Sequence, residues 1–227
     1  VNANTKSYQF TDLPTVTLEV ERTDPALVER ARAFGTATLH EAGGKIGVLP
    51  PQIKPVVPSF AISGPAVTVH SPPSDNLWLH RAIAIAQPGD VLVVYLDGVY
   101  EHGYWGEIMS TAARARQLGG LVIDGCVRDG AILGRVGFPV FARGLCIRGT
   151  GKDFAARGWI NHPLLIGDVT IEAGDLIVGD TDGVVAIPRL RVAEVLDKSR
   201  AREEKEAETM RRLEAGESSI DLYGWDR

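Results

Sequence analysis

Two apolar runs with a helix-length segment between them constrain the fold of this chain more than any other feature. Val91-Leu92-Val93-Val94-Tyr95-Leu96 has the unbroken apolar character of a strand buried on both faces, and Leu121-Val122-Ile123 repeats it. A loop from Asp97 to Trp105 leads into a helix predicted over about Gly106 to Leu118, which Gly119-Gly120 stops. Ile108, Met109, Ala112, Ala113 and Ala115 are expected on its buried side. Arg114 and Arg116 fall near its negative end, where the helix dipole favours them. Strand, helix, strand closes almost always as a right-handed crossover between parallel strands. The loop entering the helix and the loop leaving the second strand then emerge on one edge of the sheet, beyond the carboxyl ends of the strands. Ligands usually bind there.

That topology brings Gly106-Glu107-Ile108-Met109 to Arg128-Asp129, although twenty residues lie between Glu107 and Arg128. The free N–H groups of a helix start, with no Cβ on Gly106 to block approach, suit a carboxylate. Arg128 offers a fork of donors matched to carboxylate or carbonyl oxygens and stays charged at any physiological pH. Asp129 is a hard oxygen donor of the kind that holds Mg²⁺ together with water and substrate, and Glu107 would face the same ion directly or through water. Each element alone is common, since most Arg-Asp pairs are surface ion pairs of little consequence. Two such segments flanking one crossover predict a pocket for a small anionic oxo acid and a divalent cation.

The rest of the chain is organised around this unit. Residues 1–23 read as an N-terminal arm or poorly ordered lead-in, 24–188 as the main domain, and 189–227 as a C-terminal helix and tail. Asp24 caps a helix over about 25–34 with Pro25 at its first position, and Leu27, Val28, Ala31 and Phe34 at helical spacing. Thr36 to Ala42 makes a second short helix. Four prolines between Leu49 and Pro58 demand an extended loop. Ala66 to His70 reads as a strand and Asp75 to Ala86 as a helix. Further strands are expected near 139–143, 164–166, 175–179 and 183–187, separated by Gly-Asp turns whose aspartates turn chemistry explains better than metal binding. A helix over about 189–215 packs through Leu190, Val195 and Leu196. Its second half, from Arg200, is charged on every side and suits a subunit contact or, alternatively, a solvated helix.

Several function classes are excluded or disfavoured. With 29 acidic against 24 basic side chains and no basic block, phosphate-driven nucleic-acid binding is not expected. No apolar stretch approaches the ~20 residues of a membrane helix, and the start of the chain lacks a signal-peptide core. Cys126 and Cys146 suggest no disulfide framework, so the chain is expected to be cytoplasmic. Cys126 has no His close in sequence and reads as a small filler. The histidines His40, His70, His80, His102 and His162 stand singly, without metal-ligand spacing, so no zinc site is expected. His102 precedes Gly106 and reads as a surface or packing residue, while Trp105 packs and shapes the pocket mouth. Lys45, Lys54, Lys152, Lys198 and Lys205 lie elsewhere in sequence, which disfavours a Schiff base.

Gly106-Glu-Ile-Met-Ser-Thr-Ala-Ala, Gly120-Leu-Val-Ile-Asp-Gly-Cys-Val-Arg-Asp129, and Phe138-Pro-Val-Phe-Ala-Arg-Gly144 resemble the 4-hydroxy-4-methyl-2-oxoglutarate / 4-carboxy-4-hydroxy-2-oxoadipate aldolases. These share a fold with the RraA-like regulators of ribonuclease E activity. Gly167-Asp-Val, Ala173-Gly-Asp-Leu-Ile-Val-Gly-Asp and Asp182-Gly-Val-Val-Ala-Ile-Pro188 match as well, and the likeness covers roughly residues 24–215. It implies an α/β fold, a three-layer swivelling β/β/α domain, assembled as homotrimers or homohexamers with sites at subunit junctions. It further implies a class II pyruvate aldolase of aromatic degradation, dependent on Mg²⁺ or Mn²⁺, with oxaloacetate decarboxylation as a side activity. The amides of Gly106, Glu107, Ile108 and Met109 would hold the pyruvyl carboxylate, Arg128 the oxo group, and Asp129 the ion, with Glu107 acting through a water. Glu204 or Glu203 of a neighbouring subunit's last helix would complete the site. The alternative is a non-catalytic RraA-type regulator that binds a ribonuclease or another protein.

Overall fold

The computed structural model describes residues 8–226. In chain order the strands are β1 (Lys54–Pro55), β2 (Ile62–His70), β3 (Val91–Tyr95), β4 (Gly120–Ile123), β5 (Cys126–Val127), β6 (Val140–Ala142), β7 (Gly144–Leu145), β8 (Trp159–Ile160), β9 (Leu164–Ile166), β10 (Val169–Ile171), β11 (Leu176–Asp180) and β12 (Gly183–Ile187). The helices are α1 (Pro25–Ala31), α2 (Thr36–Ala42), α3 (Leu77–Ile85), α4 (Glu107–Ala115), α5 (Gly130–Val136), α6 (Val192–Glu214) and α7 (Ser219–Tyr223).

One sheet runs β1-β6-β4-β3-β2-β11-β12, with β8 added beside β2. Its centre is parallel: β2 pairs with β3, β3 with β4 and β4 with β6, with Val91 opposite Gly120 and Val93 opposite Val122. Such strands need cover on both faces, and β2 is buried at every position. Helices α3, α4 and α5 cover one face, where Leu92, Val94, Leu121 and Ile123 join Trp78, Leu79, Met109 and Leu133. The β9–β10 hairpin covers the other through Leu164, Ile166 and Ile171, against Val91, Val93 and Val122. Full burial of one such aliphatic side chain stabilises by about 1.5–3 kcal/mol. A third cluster joins α1, α2 and α6 to β11 and β12. The edge strand β1 lies against β11 and β12, so the sheet curls nearly closed. This is a mixed α/β domain with a long C-terminal helix, the architecture expected.

The crossover is present as predicted, with β3 parallel to β4 and α4 between them. Asp24 caps α1 through a 2.7 Å bond from the Ala26 amide. Other expectations need correction. Helix α4 ends at Ala115, and it buries Met109, Ser110 and Ala113, whereas Ile108 is 75% exposed and Ala112 and Ala115 are exposed. Ser110 can be buried because its Oγ accepts a 2.6 Å bond from Trp105 Nε1. Leu190 is 84% exposed, because it lies in the 3-10 turn over Arg189–Arg191 that precedes α6. The short α7, capped by Ser218 on Ile220, was not anticipated. Of the predicted arm, residues 1–7 lie outside the described residues. From Tyr8 onward it is strapped down rather than loose. Val16 bridges to Ile160, Thr23 Oγ1 donates 2.8 Å to the Gly174 carbonyl, and Arg22 grips the buried Asp90 through bonds of 2.8 and 2.9 Å.

Candidate active site

The site forms where three loops meet at the carboxyl edge of the parallel strands. The loop after β3 passes through Gly103-Tyr104-Trp105 and stops at Gly106, which caps α4. The loop after β4 returns through β5 to Arg128, whose amide donates 2.8 Å to the Trp105 carbonyl. A third segment, 145–152, runs alongside: the Cys146 amide bonds the Val127 carbonyl at 2.8 Å, and the Gly103 amide bonds that of Arg148 at 2.8 Å. Backbone bonds therefore fix where Arg128 and Asp129 start from.

Asp129 is held in the left-handed region at φ 62°, directly before α5. Asp tolerates that conformation better than most residues, and a locally unfavourable backbone of this kind often marks a functional position. The geometry turns its carboxylate back onto the start of α4. Asp129 Oδ2 accepts a 2.9 Å bond from the Glu107 amide and stands 3.8 Å from Arg128 Nε. Gly106 allows this close approach, since a Cβ on it would lie 2.3 Å from Asp129 Oδ2 and 3.1 Å from Arg128 Cγ and would force one of them to shift. Gly103 is similarly confined, its added Cβ falling 2.4 Å from the Cys146 carbonyl oxygen.

The structure thus brings Gly106, Glu107, Ile108, Met109, Arg128 and Asp129 together across the sequence. One detail differs from expectation. The Glu107 amide is already taken by Asp129, so among the described residues the first-turn amides without an acceptor are those of Gly106, Ile108 and Met109. A cleft of about 250 Å³ opens beside them, lined by Gly106, Ile108, Met109 and Arg128. That volume suits a small metabolite rather than a drug-sized ligand. Glu107 and Asp129 stand at its edge rather than in its lining. Asp129 Oδ1 and the Glu107 carboxylate have no hydrogen-bond partner among the described residues. Hard oxygens on two carboxylates fit a cation that keeps most of its water, as Mg²⁺ does. No group of three or more His, Cys, Asp or Glu among the described residues is arranged to hold a metal.

Glu203 and Glu204 are exposed on α6, which packs on α1 and α2, and neither lines the cleft of its own chain. His102 leans on Tyr104 with ring centroids 5.6 Å apart and is absent from the lining, in keeping with a packing role. Trp105 is fully buried and stacks on Phe138. Burial, with Cys146 and Glu101 nearby, pushes the Cys126 thiol up, which disfavours the thiolate a nucleophile needs.

Sequence reasoning missed part of the lining. Asn76 and His80 from α3 and its cap, and Gly149, Thr150 and Lys152 from the third segment, complete the cleft. The view that lysines stand apart from the site is therefore corrected for Lys152. Burial lowers the His80 pKa, the Lys152 charge lowers it further, and Asp75 opposes them. The only available signal was the run of turn residues at 149–151, which does not reveal what the loop packs against.

The Aldolase/RraA family, described as RraA-like, matches residues 25–186. A Halalkalibacterium halodurans protein provisionally named a 4-hydroxy-4-methyl-2-oxoglutarate aldolase is 32% identical over 196 residues, covering 86% of this chain and 92% of that one. A crystal structure of an uncharacterized Pseudomonas syringae pv. tomato protein superposes with a TM-score of 0.77 at 30% identity, covering 90% and 95%. Streptomyces coelicolor RraAS2, described as an unusual member of the RNase ES inhibitor RraA protein family, gives a TM-score of 0.72 at 26% identity, covering 84% and 100%.

Proposed function

This chain belongs to the RraA-like Aldolase/RraA family, and on that premise we infer that it is a metal-dependent aldolase releasing pyruvate from a 4-hydroxy-2-oxo acid. The observation that carries the reading is the 2.9 Å bond from the Glu107 amide to Asp129 Oδ2, which closes two distant loops around one cleft. A protein acting only as an adaptor has no need of a carboxylate, a guanidinium and free helix-start amides converging there.

The free amides of Gly106, Ile108 and Met109 bind the carboxylate next to the oxo group, aided by the positive end of α4. Arg128 places its guanidinium beside the oxo oxygen. Cleavage breaks the bond between C3 and C4: its electron pair moves toward the 2-oxo oxygen, and the C4 hydroxyl becomes a carbonyl as its proton leaves to water. The negative charge that develops is stabilised by Arg128, a preorganised contribution of about 2.7–4 kcal/mol for a single donor. Mg²⁺ or Mn²⁺, held by Asp129 with Glu107 behind it, would supply Lewis-acid polarisation of the same oxo acid. Lys152 is exposed at the cleft rim, whereas a Schiff-base lysine is typically desolvated in an apolar pocket. Loss of CO₂ from oxaloacetate leaves the same enolate and is a natural side activity.

The proposed substrate is 4-hydroxy-4-methyl-2-oxoglutarate or its 4-carboxymethyl relative 4-carboxy-4-hydroxy-2-oxoadipate. The proposed assembly is a trimer or hexamer in which Glu204 or Glu203 of a neighbour approaches the cleft. The test is pyruvate release from 4-hydroxy-4-methyl-2-oxoglutarate with Mg²⁺ or Mn²⁺, before and after exhaustive chelation. Metal-dependent release is expected; no release, or release indifferent to chelation, overturns the reading.

A further inference from the structure

The two cysteines have no part in the reaction, yet both stand on the ribbon that carries Arg128. Strands β5 and β7 pair in parallel, with Cys126 opposite Gly144 and Val127 opposite Leu145. The 2.8 Å bond from the Cys146 amide to the Val127 carbonyl carries that pairing one residue on, so Cys146 stands opposite Arg128. β5 runs out into Arg128 and Asp129, and β7 into the segment that lines the cleft through Gly149, Thr150 and Lys152. Whatever moves these two strands against each other moves both walls of the cleft.

Gly144 leaves room between the thiols. A Cβ at that position would lie 3.9 Å from Cys126 Sγ and, its chain neighbours aside, within 4 Å of no other atom among the described residues. Cys126 Sγ therefore faces the empty side of Gly144, and the alternation of side chains along a strand returns Cys146 to that side. The two are diagonal neighbours across a short ladder, each a half-buried free thiol. Burial, and then Cys146 close by, push the Cys126 thiol up, with Glu101 adding to this and Arg143 opposing it. Cys126 is thus poorly suited to attack first, and that role falls to Cys146. A disulfide needs Cα atoms within about 7 Å of each other, closer than diagonal positions in a ladder ordinarily stand. The strands must shift to make the bond, and each is only two residues long.

We propose that Cys126 and Cys146 are a modification site: a low-molecular-weight disulfide oxidises them to an internal disulfide, which draws Arg128 out of place. Cys146, as thiolate, attacks one sulfur of the small disulfide. A Cys146 mixed disulfide forms, the small molecule's own sulfur–sulfur bond breaks, and one thiolate leaves. Cys126 then gives its proton to water and attacks Cys146 Sγ, forming the internal bond and expelling the second small thiolate. Two protein thiols are oxidised, one disulfide is reduced to two thiols, and the protons lost by the cysteines end on those thiols. The effect on turnover rests on the aldolase reading; the bond itself does not.

The experiment treats the full chain with oxidised glutathione, alkylates the remaining thiols, and measures intact mass and linked peptides without reductant. The wild type should carry an internal Cys126–Cys146 link and no adduct. Cys126→Ser should stop at a glutathione adduct on Cys146, and Cys146→Ser should leave Cys126 unmodified. Pyruvate release from 4-hydroxy-4-methyl-2-oxoglutarate should fall by about a hundredfold on oxidation, the cost of about a 1 Å displacement of a catalytic group. It should return with dithiothreitol and persist in oxidant-treated Cys146→Ser. Free thiols in the wild type, adducts on both cysteines without a link, or a link only between two chains overturns the proposal. So does a linked protein that works as well as the reduced one. A reduced wild type that releases no pyruvate removes the aldolase reading instead, and the link, present or absent by mass, still decides the fate of the thiol pair.

Discussion

The carboxylate of Asp129 lies 2.9 Å from the amide of Glu107, so an anion at the end of one βα loop caps the helix that opens from another. The bond has two consequences. It holds Asp129 against the positive end of α4, and it removes one amide from those available to a substrate carboxylate.

Gly106→Ala tests that contact directly. A Cβ at this position would fall 2.3 Å from Asp129 Oδ2, so the carboxylate or the start of α4 must move. A shift of about 1 Å in a catalytic group costs about a hundredfold in rate. Pyruvate release should fall by about that factor, while the thermal midpoint, followed by circular dichroism, changes little because α4 keeps its buried face. An alanine variant within a few-fold of wild type would show that the contact has no catalytic weight.

Asp129→Asn separates charge from shape. Asparagine also tolerates φ 62° and keeps an oxygen for the Glu107 amide, so the local backbone should survive. The hard anionic donor is lost. Isothermal titration with Mn²⁺ should show affinity weakened by at least about tenfold, in line with the sensitivity of metal sites to their ligands. Undiminished Mn²⁺ affinity would place the ion elsewhere.

Arg128→Lys keeps a positive charge and discards the planar fork. The guanidinium is held between the missing side chains of Gly103 and Gly106, where Arg128 Cβ and Cγ come within about 3 Å of any added Cβ. A lysine there cannot reproduce two directed donors. The expected loss in kcat is about 10²–10³, as for removal of one oxyanion donor. A KM change with unaltered kcat would mean that Arg128 only binds.

The β3–α4–β4 crossover was legible in sequence because two apolar runs and a glycine stop admit few arrangements, and the crossover rule then supplied the meeting of Glu107 with Asp129. Helical spacing was less decisive within α4. It placed Ile108 inside, although the helix start leaves that position beside the open cleft, and it could not foresee that Trp105 would make Ser110 fit to be buried. Lys152, Asn76 and His80 escaped notice for a different reason. Their convergence depends on Asp75 bonding the Asp153 amide across 78 residues, and no local pattern announces such a bond. Leu190 was misplaced because a 3-10 turn precedes α6 and breaks the periodicity that α6 itself obeys.

The same kind of distant contact governs acid stability through Asp180. Helix α2 begins at Thr36 after Gly35, which has no side chain to cap it. Asp180, at the end of β11, caps it instead: Oδ2 accepts from the Thr36 amide at 2.7 Å, and Oδ1 from the Thr36 hydroxyl at 2.7 Å and the Asp182 amide at 2.9 Å. Burial raises the Asp180 pKa, but these donors, with the Gly183 amide, outweigh it and hold the carboxyl below its ordinary value. A carboxylate depressed in the folded state adds stability that is present above its unfolded pKa of about 3.9 and is lost as pH falls through the lower folded value. Asp180→Ala should therefore cost about 1–2 kcal/mol at pH 7, the usual worth of a helix cap. The difference from wild type should shrink as pH falls below about 4. Urea unfolding at pH 7 and at pH 3 measures both. An equal deficit at the two pH values would mean that Asp180 acts through packing and not through its charge.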